Sequence, residues 1–573
     1  MFLKRLMNYN YYAGLDILRN FDIVNYLIAG IVLLALVLAV FNEDASAGSP
    51  RLSWVLGEFL PIQQSIFTIN PNVENKLFNK KNNKLHTFIT SLYKLFIELK
   101  ESISEGNFLN LLKKKTRDII KKIVLYKNLL VLKYISESKR HLFYMLVKQK
   151  YNLPIQKDES EMQSYLDAKR EVIRLNRWCF MWKVSDVKNE FIICENIKAR
   201  PISSYSYLDF VREPLVQNAA IEAAMKWSTG NHGPRMLGGN SQILRDLEKI
   251  VAKFFGRNDS ILAVCGFLAC MSGIAAVATP EDLVLSDSRT HACVKMGIQV
   301  CGAKNFIFKH NDFNHLELLL LKHRKKYRNC WVCIESVYSM DGDIADLPTV
   351  KTLCIKHNAK IYLDEAHGLG VLGKTGRGLE EHFNMHGAAD IIVGTFSKTI
   401  GGVGGYIVAS DDVIEFLDFH CIGNVFSAPL PAYNAGGAMK AFELIDSQPW
   451  RIEKLKFNAK YLRNGLKTGM GYWPKDYPES YKYIIEGDDA TSVIPVIFPN
   501  DPDRLFKIGN VLLKMNWMIS AVVYPACPLR YPRFRVTATS AYTVEYMNQF
   551  IRDIVYATVS VNPSPFEEEL ITI

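Results

Sequence analysis

The sequence predicts an α/β fold in which a mostly parallel sheet carries helices on both faces. Between residues 202 and about 410, short apolar runs alternate with stretches of helical periodicity, the pattern of repeated strand–helix–strand units. The strand-like runs are 260–264, 283–285, 331–334, 360–363 and 391–393. After residue 411, a long helical stretch is followed by two more strand-like runs, 493–497 and 534–537. This pattern predicts a smaller C-terminal α+β domain. The expected order is a linker together with the N-terminal part of the main region at 151–200, a large domain at 201–410, and a connecting helix with the small domain at 411–573.

Residues 23–41 form an apolar run of 19 residues, interrupted only by Asn25 and Gly30. One helix of that length spans the hydrocarbon core of a bilayer. The run is too long and starts too late for a cleaved signal peptide. We therefore expect a membrane anchor within residues 1–50, with a buried core helix as the alternative.

The net charge of +11 comes from one segment of the 573-residue chain. Residues 76–150 hold 18 Lys/Arg against 5 Asp/Glu, without a nucleic-acid-binding motif. Apolar residues recur there at helical spacing, so we predict that 51–150 forms helices that contact anionic lipid headgroups. A solvated helical surface is the alternative. The apolar stretch 52–69, broken by Glu58 and Pro61, either returns the chain or lies in the membrane interface.

Eleven cysteines are scattered without the spacing of a zinc site. The one CxxC, Cys330 and Cys333, falls in a predicted strand, where the two side chains point to opposite faces. The other cysteines of the large domain lie in apolar surroundings and are interpreted as reduced core residues: Cys265, Cys270, Cys293 and Cys301. The sequence thus predicts no metal site and a reducing compartment.

One lysine follows the predicted strand 391–393, in Gly394-Thr-Phe-Ser-Lys398-Thr-Ile-Gly-Gly-Val-Gly-Gly-Tyr406. Open α/β sheets bind ligands at the C-terminal ends of their strands. A lysine amine there can form a Schiff base with a carbonyl or with pyridoxal phosphate (PLP). Thr395, Ser397 and the glycines can contact a phosphate. For this stretch alone, a solvated lysine in a Gly/Ser loop is the alternative.

Asp364 and His367 follow the neighbouring predicted strand 360–363. Asp364 lies 34 residues before Lys398, one strand–helix–strand unit away, so both side chains are expected in one cleft. A carboxylate beside the pyridine nitrogen of PLP keeps it protonated and makes the ring an electron sink. His367 can bond the phenolic oxygen. A helix-capping aspartate is the alternative, but the pairing with Lys398 favours PLP.

Three further segments are weaker candidates. Gly266 and Phe267 open a predicted helix whose N-terminal amides suit a phosphate. His291 can stack on the PLP ring, although a lone histidine is more often structural. Ser339 carries no information without its context.

Together these motifs resemble those of the α-oxoamine synthase family of PLP enzymes over about residues 200–555. The matching segments occur in the family's order and spacing: Thr290-His-Ala, Tyr338-Ser-Met-Asp-Gly342, Tyr362-Leu-Asp-Glu-Ala-His-Gly-Leu-Gly370, Gly373-Lys-Thr-Gly-Arg-Gly378 and Gly394-Thr-Phe-Ser-Lys398. The resemblance implies a fold-type I, aspartate aminotransferase-like transferase, and a dimer with active sites at the interface.

The resemblance also implies the roles of the site residues. Lys398 holds PLP as a Schiff base, Asp364 pairs with the pyridine nitrogen and His367 with the phenolic oxygen. The remaining cofactor contacts are assigned to Gly266, Phe267, Thr395, Ser339 and Ser397, with His291 stacked on the ring and orienting the substrate carboxylate. Arg533 binds that carboxylate. Arg535 lies on the same strand face, so only the motif match selects Arg533.

The chain departs from the family pattern at four positions. Asp209 stands where the family usually has glycine, and Leu244 where it commonly has histidine. Ala428 and Pro429 replace small hydroxyl residues in a segment that normally reaches the phosphate of the partner subunit. This puts the contact across the dimer in doubt, with Ser427 as a substitute.

Within the family, the anchor and several segments point to the members that condense L-serine with a long-chain acyl-CoA. That implies release of CO2 and CoA, formation of 3-ketodihydrosphingosine, and the first step of sphingolipid synthesis at the endoplasmic reticulum membrane. We expect a cytosolic catalytic domain, although Lys4, Arg5 and Arg19 favour the opposite topology. A homodimer and a heterodimer with a related subunit remain open, and no nucleic-acid partner is expected. The alternatives are another α-oxoamine synthase, such as a glycine-using 5-aminolevulinate synthase-like enzyme, and a non-catalytic membrane-anchored subunit. An 8-amino-7-oxononanoate synthase would have no need of the anchor.

Overall fold

The computed structural model describes residues 182–188, 191–194, 196–524, 526–528 and 530–563. The predicted anchor at 23–41, the basic segment at 51–150 and most of the linker lie outside the described residues. Within the described part, no helix combines the length and apolar character needed to cross a membrane.

Strands and helices alternate along the described chain. Its strands are β1 (Val184–Lys188), β2 (Phe191–Cys194), β3 (Ile197–Pro201), β4 (Asp259–Ala263), β5 (Leu283–Asp287), β6 (Lys304–Phe308), β7 (Cys330–Glu335), β8 (Lys360–Asp364), β9 (Ile391–Thr395), β10 (Gly405–Ala409), β11 (Ile484–Ile485), β12 (Val493–Ile497), β13 (Trp517–Met518), β14 (Ala521–Val522) and β15 (Arg533–Thr537). Its α-helices are α1 (Pro214–Trp227), α2 (Gln242–Phe254), α3 (Gly266–Val277), α4 (Ala292–Cys301), α5 (Phe313–His323), α6 (Leu347–His357), α7 (Leu379–His382), α8 (Asp411–His420), α9 (Ile422–Val425), α10 (Ala432–Ser447), α11 (Trp450–Thr468), α12 (Pro502–Lys514) and α13 (Val544–Ser560). Single 3-10 turns lie at Phe210–Arg212, Arg235–Leu237, Arg324–Lys326, Gly469–Gly471 and Glu479–Tyr481.

The main sheet has seven strands in the order β4-β10-β9-β8-β7-β5-β6. Strands β6, β5, β7, β8 and β9 run parallel to their neighbours, whereas β10 is antiparallel to both β9 and β4. The prediction of a mostly parallel α/β sheet is confirmed. All five residues of β5, β9 and β10 are buried, as expected for strands covered on both faces.

Side chains on the two faces of this sheet pack into two different hydrophobic clusters. On β9, Ile391 and Val393 pack into one cluster, and Ile392 between them packs into the other. This alternation follows from the two-residue period of a strand, and it shows that helices cover both faces. The larger cluster continues into the C-terminal elements through Phe534 and Ile551.

Two smaller sheets complete the described chain. Strands β11, β12, β15 and β14 form an antiparallel four-stranded sheet in the order β11-β12-β15-β14. Strands β1, β2 and β3 pair antiparallel, and β13 joins β3 in parallel. The predicted strands 493–497 and 534–537 correspond to β12 and β15, while the domain boundaries stay predictions.

Candidate active site

The C-terminal ends of β7, β8 and β9 bring the main polar side chains to one edge of the sheet. Glu335, the last residue of β7, is in register with Asp364, the last residue of β8. Asp364 is in turn in register with Val393 of β9, whose strand runs directly into the loop that carries Lys398. The parallel arrangement therefore places an acid, a second acid and an amine side by side, as the spacing of Asp364 and Lys398 predicts.

A tight turn presents Lys398. The amide of Phe396 donates to the carbonyl of Gly404 at 2.9 Å, and the amide of Gly402 donates to the carbonyl of Phe396 at 3.0 Å. Gly404 has φ +140°, and a Cβ there would lie 2.6 Å from the Phe396 ring. Glycine is therefore required where the turn closes against the aromatic ring.

The surroundings of Lys398 keep its amine partly neutral near physiological pH. Burial lowers the lysine pKa to about 8, and the positive charge of Arg535 adds to this shift. The negative charges of Asp364 and Glu335 act in the opposite direction. An amine with this pKa can serve as a nucleophile or a base at pH 7 to 8.

Asp364 is 4% exposed and is oriented by two neighbours. Its Oδ1 accepts a hydrogen bond from the amide of Ala366 at 2.9 Å. The thiol of Cys270, on α3, donates to Oδ2 at 3.6 Å. The carboxylate is thus fixed at the end of β8 by the backbone after it and by the helix that packs beside it.

His367, three residues after Asp364, lies in the buried part of the site. Its Nδ1 is 2.7 Å from the hydroxyl of Tyr207, which is also buried. Burial holds the pKa of His367 well below its usual value, and the positive charge of Lys398 contributes further. His367 is therefore a neutral imidazole whose second nitrogen is available to a ligand.

His291 occupies a more exposed position at the N-terminus of α4. Its backbone amide donates to Oε1 of Glu335 at 2.5 Å, and its Nδ1 is 2.8 Å from the thiol sulfur of Cys293. The Phe267 ring stands edge-on to it, with 6.3 Å between the ring centroids. The two rings form one wall of the site.

The N-terminus of α3 meets the loop after β9, as expected for a phosphate site. Gly266 lies so close to Thr395 that an added Cβ would be 2.4 Å from the threonine Cβ. The hydroxyl of Thr395 is 2.8 Å from that of Ser397. No side chain caps this helix terminus in the described structure, so its first amides remain available to an anion.

Ser339 is the sequence candidate that the structure connects least to the site. It is half-buried in the turn after β7, and its side chain makes no hydrogen bond with the described residues.

The structure disfavours the prediction that Arg533 binds the substrate carboxylate, because its guanidinium already has protein partners. Its Nη1 donates to Oδ1 of Asp341 and to the carbonyl of Met340, both at 2.9 Å. Its Nε donates to the carbonyl of Tyr531 at 3.1 Å. The side chain is almost completely buried in these contacts.

Arg535, two residues along β15, is the better-placed candidate for that role. Burial lowers the pKa values of Lys398 and His367, and the charge of Arg535 adds to both shifts, which places it near both residues. Its Nε and Nη2 are buried and have no hydrogen-bond partner in the described part of the chain. Two such donors, side by side on one guanidinium, match the two oxygens of a carboxylate.

Sequence reasoning missed four other members of the site. Glu335 carries the same signal as Asp364, an acid at the end of a predicted strand, and burial raises its pKa to about 8. Tyr207 had no such signal. Cys270 and Cys293 were interpreted as core residues. Hydrogen bonding to Cys270 and His291 lowers the pKa of Cys293 to about 6.

The structure also explains one departure from the family pattern. Asp209 has φ +61°, the left-handed backbone region that favours glycine, and its carboxylate pairs with Arg212 at 2.9 Å. Leu244 is 1% exposed in the core. Ala428 is exposed, and the carbonyl of Pro429 accepts from the side-chain amide of Asn231 at 3.0 Å.

The donor set fits pyridoxal phosphate. Lys398 offers an amine for the aldehyde, Asp364 offers a carboxylate for the ring nitrogen, and His367 offers a nitrogen for the phenolic oxygen. The uncapped N-terminus of α3, with Thr395, offers amides and a hydroxyl for the phosphate.

Sequence comparison is consistent with this geometry. Residues 201–554 match the family model described as aminotransferase class I and II. An 8-amino-7-oxononanoate synthase from Alkaliphilus oremlandii is 34% identical over 351 residues, 61% of this chain and 85% of that enzyme. The enzyme of that name from Thermoanaerobacter pseudethanolicus is 35% identical over 352 residues, again 61% of this chain and 85% of the relative.

Solved structures give a second comparison. A serine palmitoyltransferase from S. paucimobilis with a bound PLP–myriocin aldimine is similar with a TM-score of 0.66 and 25% identity, over 70% of this chain and 99% of that one. The Sphingomonas wittichii serine palmitoyltransferase is similar with a TM-score of 0.65 and 26% identity, over 71% of this chain and 100% of that one. An 8-amino-7-oxononanoate synthase from Francisella tularensis shares the fold. Its TM-score is 0.53 and its identity 19%, over 63% of this chain and 98% of that one.

Proposed function

The chain belongs to the class I and II aminotransferase family and, within it, to the PLP-dependent α-oxoamine synthases, and from this premise we propose that it is a serine C-palmitoyltransferase. It condenses L-serine with a long-chain acyl-CoA, such as palmitoyl-CoA, to 3-ketodihydrosphingosine, CoA and CO2. The observation that carries the choice is the structural similarity to serine palmitoyltransferases, which is closer than that to the Francisella tularensis enzyme.

Each residue of the site has its own role in the proposed reaction. PLP, when bound, supplies an electron sink for the charge left on the α-carbon of the amino acid. Asp364 holds a proton on the ring nitrogen, and Arg535 binds the serine carboxylate through its two unpartnered donors. His291 and Phe267 flank the ring.

Lys398 moves the proton. With its pKa lowered to about 8, the amine takes the proton from the serine α-carbon. That carbon then bonds to the thioester carbonyl carbon of the acyl-CoA, and the CoA thiolate leaves. The carboxylate departs as CO2, and Lys398 returns a proton to the α-carbon.

A second candidate function is 8-amino-7-oxononanoate synthesis, favoured by the sequence relatives at 34% and 35% identity. The carbon skeleton of that product corresponds to alanine, less its carboxylate, joined to a seven-carbon dicarboxylic acyl group. The chemistry at Lys398 is the same, so the two proposals differ only in side-chain and acyl recognition.

Substrate pairs separate these functions. The purified full-length chain is given L-serine with palmitoyl-CoA, L-alanine with pimeloyl-CoA, or glycine with succinyl-CoA, and CoA release is measured. We expect release with the first pair and none with Lys398→Ala, which also loses the absorbance of lysine-bound cofactor. Activity only with another pair refutes the serine assignment. Retained activity in Lys398→Ala refutes the whole mechanism.

We also propose that residues 23–41 anchor the enzyme in the endoplasmic reticulum membrane, with the catalytic domain in the cytosol. A long-chain acyl substrate and a lipid product support this placement. The full-length protein is expected to stay with membranes through alkaline carbonate extraction, and a chain lacking residues 1–150 to be released. Complete extraction of the full-length protein would refute the anchor.

A further inference from the structure

Two thiols and a carboxylate meet in the buried part of the candidate active site. Cys270 lies on α3, Cys293 in the first turn of α4, and Asp364 at the end of β8. One ligand atom from each, the two sulfurs and a carboxylate oxygen, lies within 4.8 Å of both others. All three side chains are buried, with 2% exposure for each cysteine and 4% for Asp364.

The spacing suits a tetrahedral metal ion. Zinc bonds of about 2.3 Å to sulfur and about 2.0 Å to oxygen place those two ligand atoms roughly 3.5 Å apart. The sulfur of Cys270 and Oδ2 of Asp364 are 3.6 Å apart. The Nδ1 of His291 lies 2.8 Å from the Cys293 sulfur, but His291 is not part of the three-residue group, so the fourth position of the ion is left to solvent.

Rigid elements hold the two thiols face to face. A Cβ added to Gly297 of α4 would lie 2.2 Å from the carbonyl oxygen of Met271 of α3, so the helix backbones touch there. Met271 is the next residue after Cys270, and Gly297 lies one helical turn after Cys293. The two cysteines are therefore carried on backbones that are held close together, and preorganised ligands of this kind favour metal binding.

We propose that Cys270, Cys293 and Asp364 bind a thiophilic divalent cation of the Zn²⁺ class, with a solvent molecule as fourth ligand, when the cofactor is absent. Thiolate ligands select soft and borderline cations over Mg²⁺ or Ca²⁺. Both sulfurs bind as thiolates, so any proton that they hold is released to solvent, and the ion's charge offsets most of the three buried negative charges. The inference goes beyond the substrate assignment and does not depend on it.

Cation and cofactor are then mutually exclusive. The ion takes Oδ2 of Asp364, which faces Cys270, and Oδ1 already accepts from the amide of Ala366, so we expect Asp364 not to pair with the ring nitrogen of PLP while the ion is bound. The chain would thus be open to inhibition by thiophilic metals before cofactor capture and protected from them afterwards.

The test uses the full-length protein, freed of PLP with hydroxylamine and kept reduced with a phosphine. Cd²⁺ is titrated in, and the thiolate-to-cadmium charge-transfer absorbance is recorded. We expect one tightly held ion per chain in the wild type, its absorbance lost in Cys270→Ser and Cys293→Ser. Cys301→Ser, at the far end of α4, is the matched control and should keep it.

PLP rebinding provides the second readout. Cd²⁺ or Zn²⁺ should slow the return of lysine-bound cofactor absorbance at least tenfold in the wild type and Cys301→Ser, reversibly with EDTA. Cys293→Ser should rebind PLP at the same rate with and without the ion, and its rebinding shows that it is folded. Equal charge-transfer absorbance in all variants, or unslowed rebinding in the metal-loaded wild type, would overturn the proposal.

Discussion

Arg535 and Arg533 lie on one face of β15 but have different environments. Arg535→Lys should raise the KM for the amino acid roughly tenfold to a hundredfold, because a lysine cannot replace two parallel bonds to a carboxylate worth about 1.5–3 kcal/mol. Steady-state kinetics with varied amino acid measure this. Arg533→Lys should lower the melting temperature and leave KM nearly unchanged, since its partner is Asp341. The reverse pattern would restore Arg533 as the binding residue.

The pKa of Lys398 gives a pH prediction with a definite sign. The neutral amine captures the cofactor, so the rate of PLP rebinding should rise with pH and level off above about 8. Arg535 lowers that pKa, so Arg535→Gln should move the midpoint to higher pH. Arg533→Gln is the control and should leave it in place, because Arg533 is not among the groups that shift Lys398. A midpoint common to all three proteins would contradict the assignment.

At the level of single residues, the sequence predicted that Asp364 and Lys398 lie together, but it did not select Arg535. Asp364 ends β8 and Lys398 lies in the loop that follows the neighbouring strand β9, so the adjacency of the two strands brings them together. Arg533 and Arg535 share a strand face, and only the distance along the strand decides which one reaches Lys398. The proximity of Cys270 and Cys293 depends on how α3 packs on α4, which no spacing of cysteines encodes.

Among the elements, α3 and the loop after β9 are joined at Gly266. In Gly266→Ala, the new Cβ must displace Thr395 or the helix start, which disrupts the amides assigned to the phosphate. We expect at least a tenfold weaker PLP affinity, measured by equilibrium titration. Gly230→Ala is the control, because a Cβ there meets no atom within 4 Å. Unchanged affinity in Gly266→Ala would remove the phosphate from this helix terminus.

The elements also show where strand prediction works. The five runs proposed from sequence correspond to β4, β5, β7, β8 and β9, because continuous apolar residues mark strands buried on both faces. β6 was not proposed, since its exposed and half-buried residues give no such run. β10 follows directly on the glycine-rich lysine loop, and its antiparallel pairing with β4 and β9 is a tertiary outcome.

On the scale of the whole molecule, exposed apolar side chains indicate a partner. Leu237 is 79% exposed and Phe426 is 83% exposed. The hydrogen bonds from Asn231 to the carbonyls of Pro429 and Leu430 tie the two surrounding segments together. The same segment contains Ala428, where the family normally contacts the phosphate of the partner subunit. We propose that this face pairs with a second copy of the chain or with a related subunit.

Charge placed on this face should separate the subunits. In Leu237→Asp/Phe426→Asp, association would bury two carboxylates without partners, at a cost of several kcal/mol each. Sedimentation velocity of the detergent-solubilised protein should show a dimer for the wild type and a monomer for the variant, with loss of CoA release. Ile355→Asp is the matched control, because Ile355 is 70% exposed on α6 and belongs to neither segment. It should stay dimeric and active. A double variant that remains dimeric would exclude this face, whereas an active monomer would show that the pocket is complete within one chain.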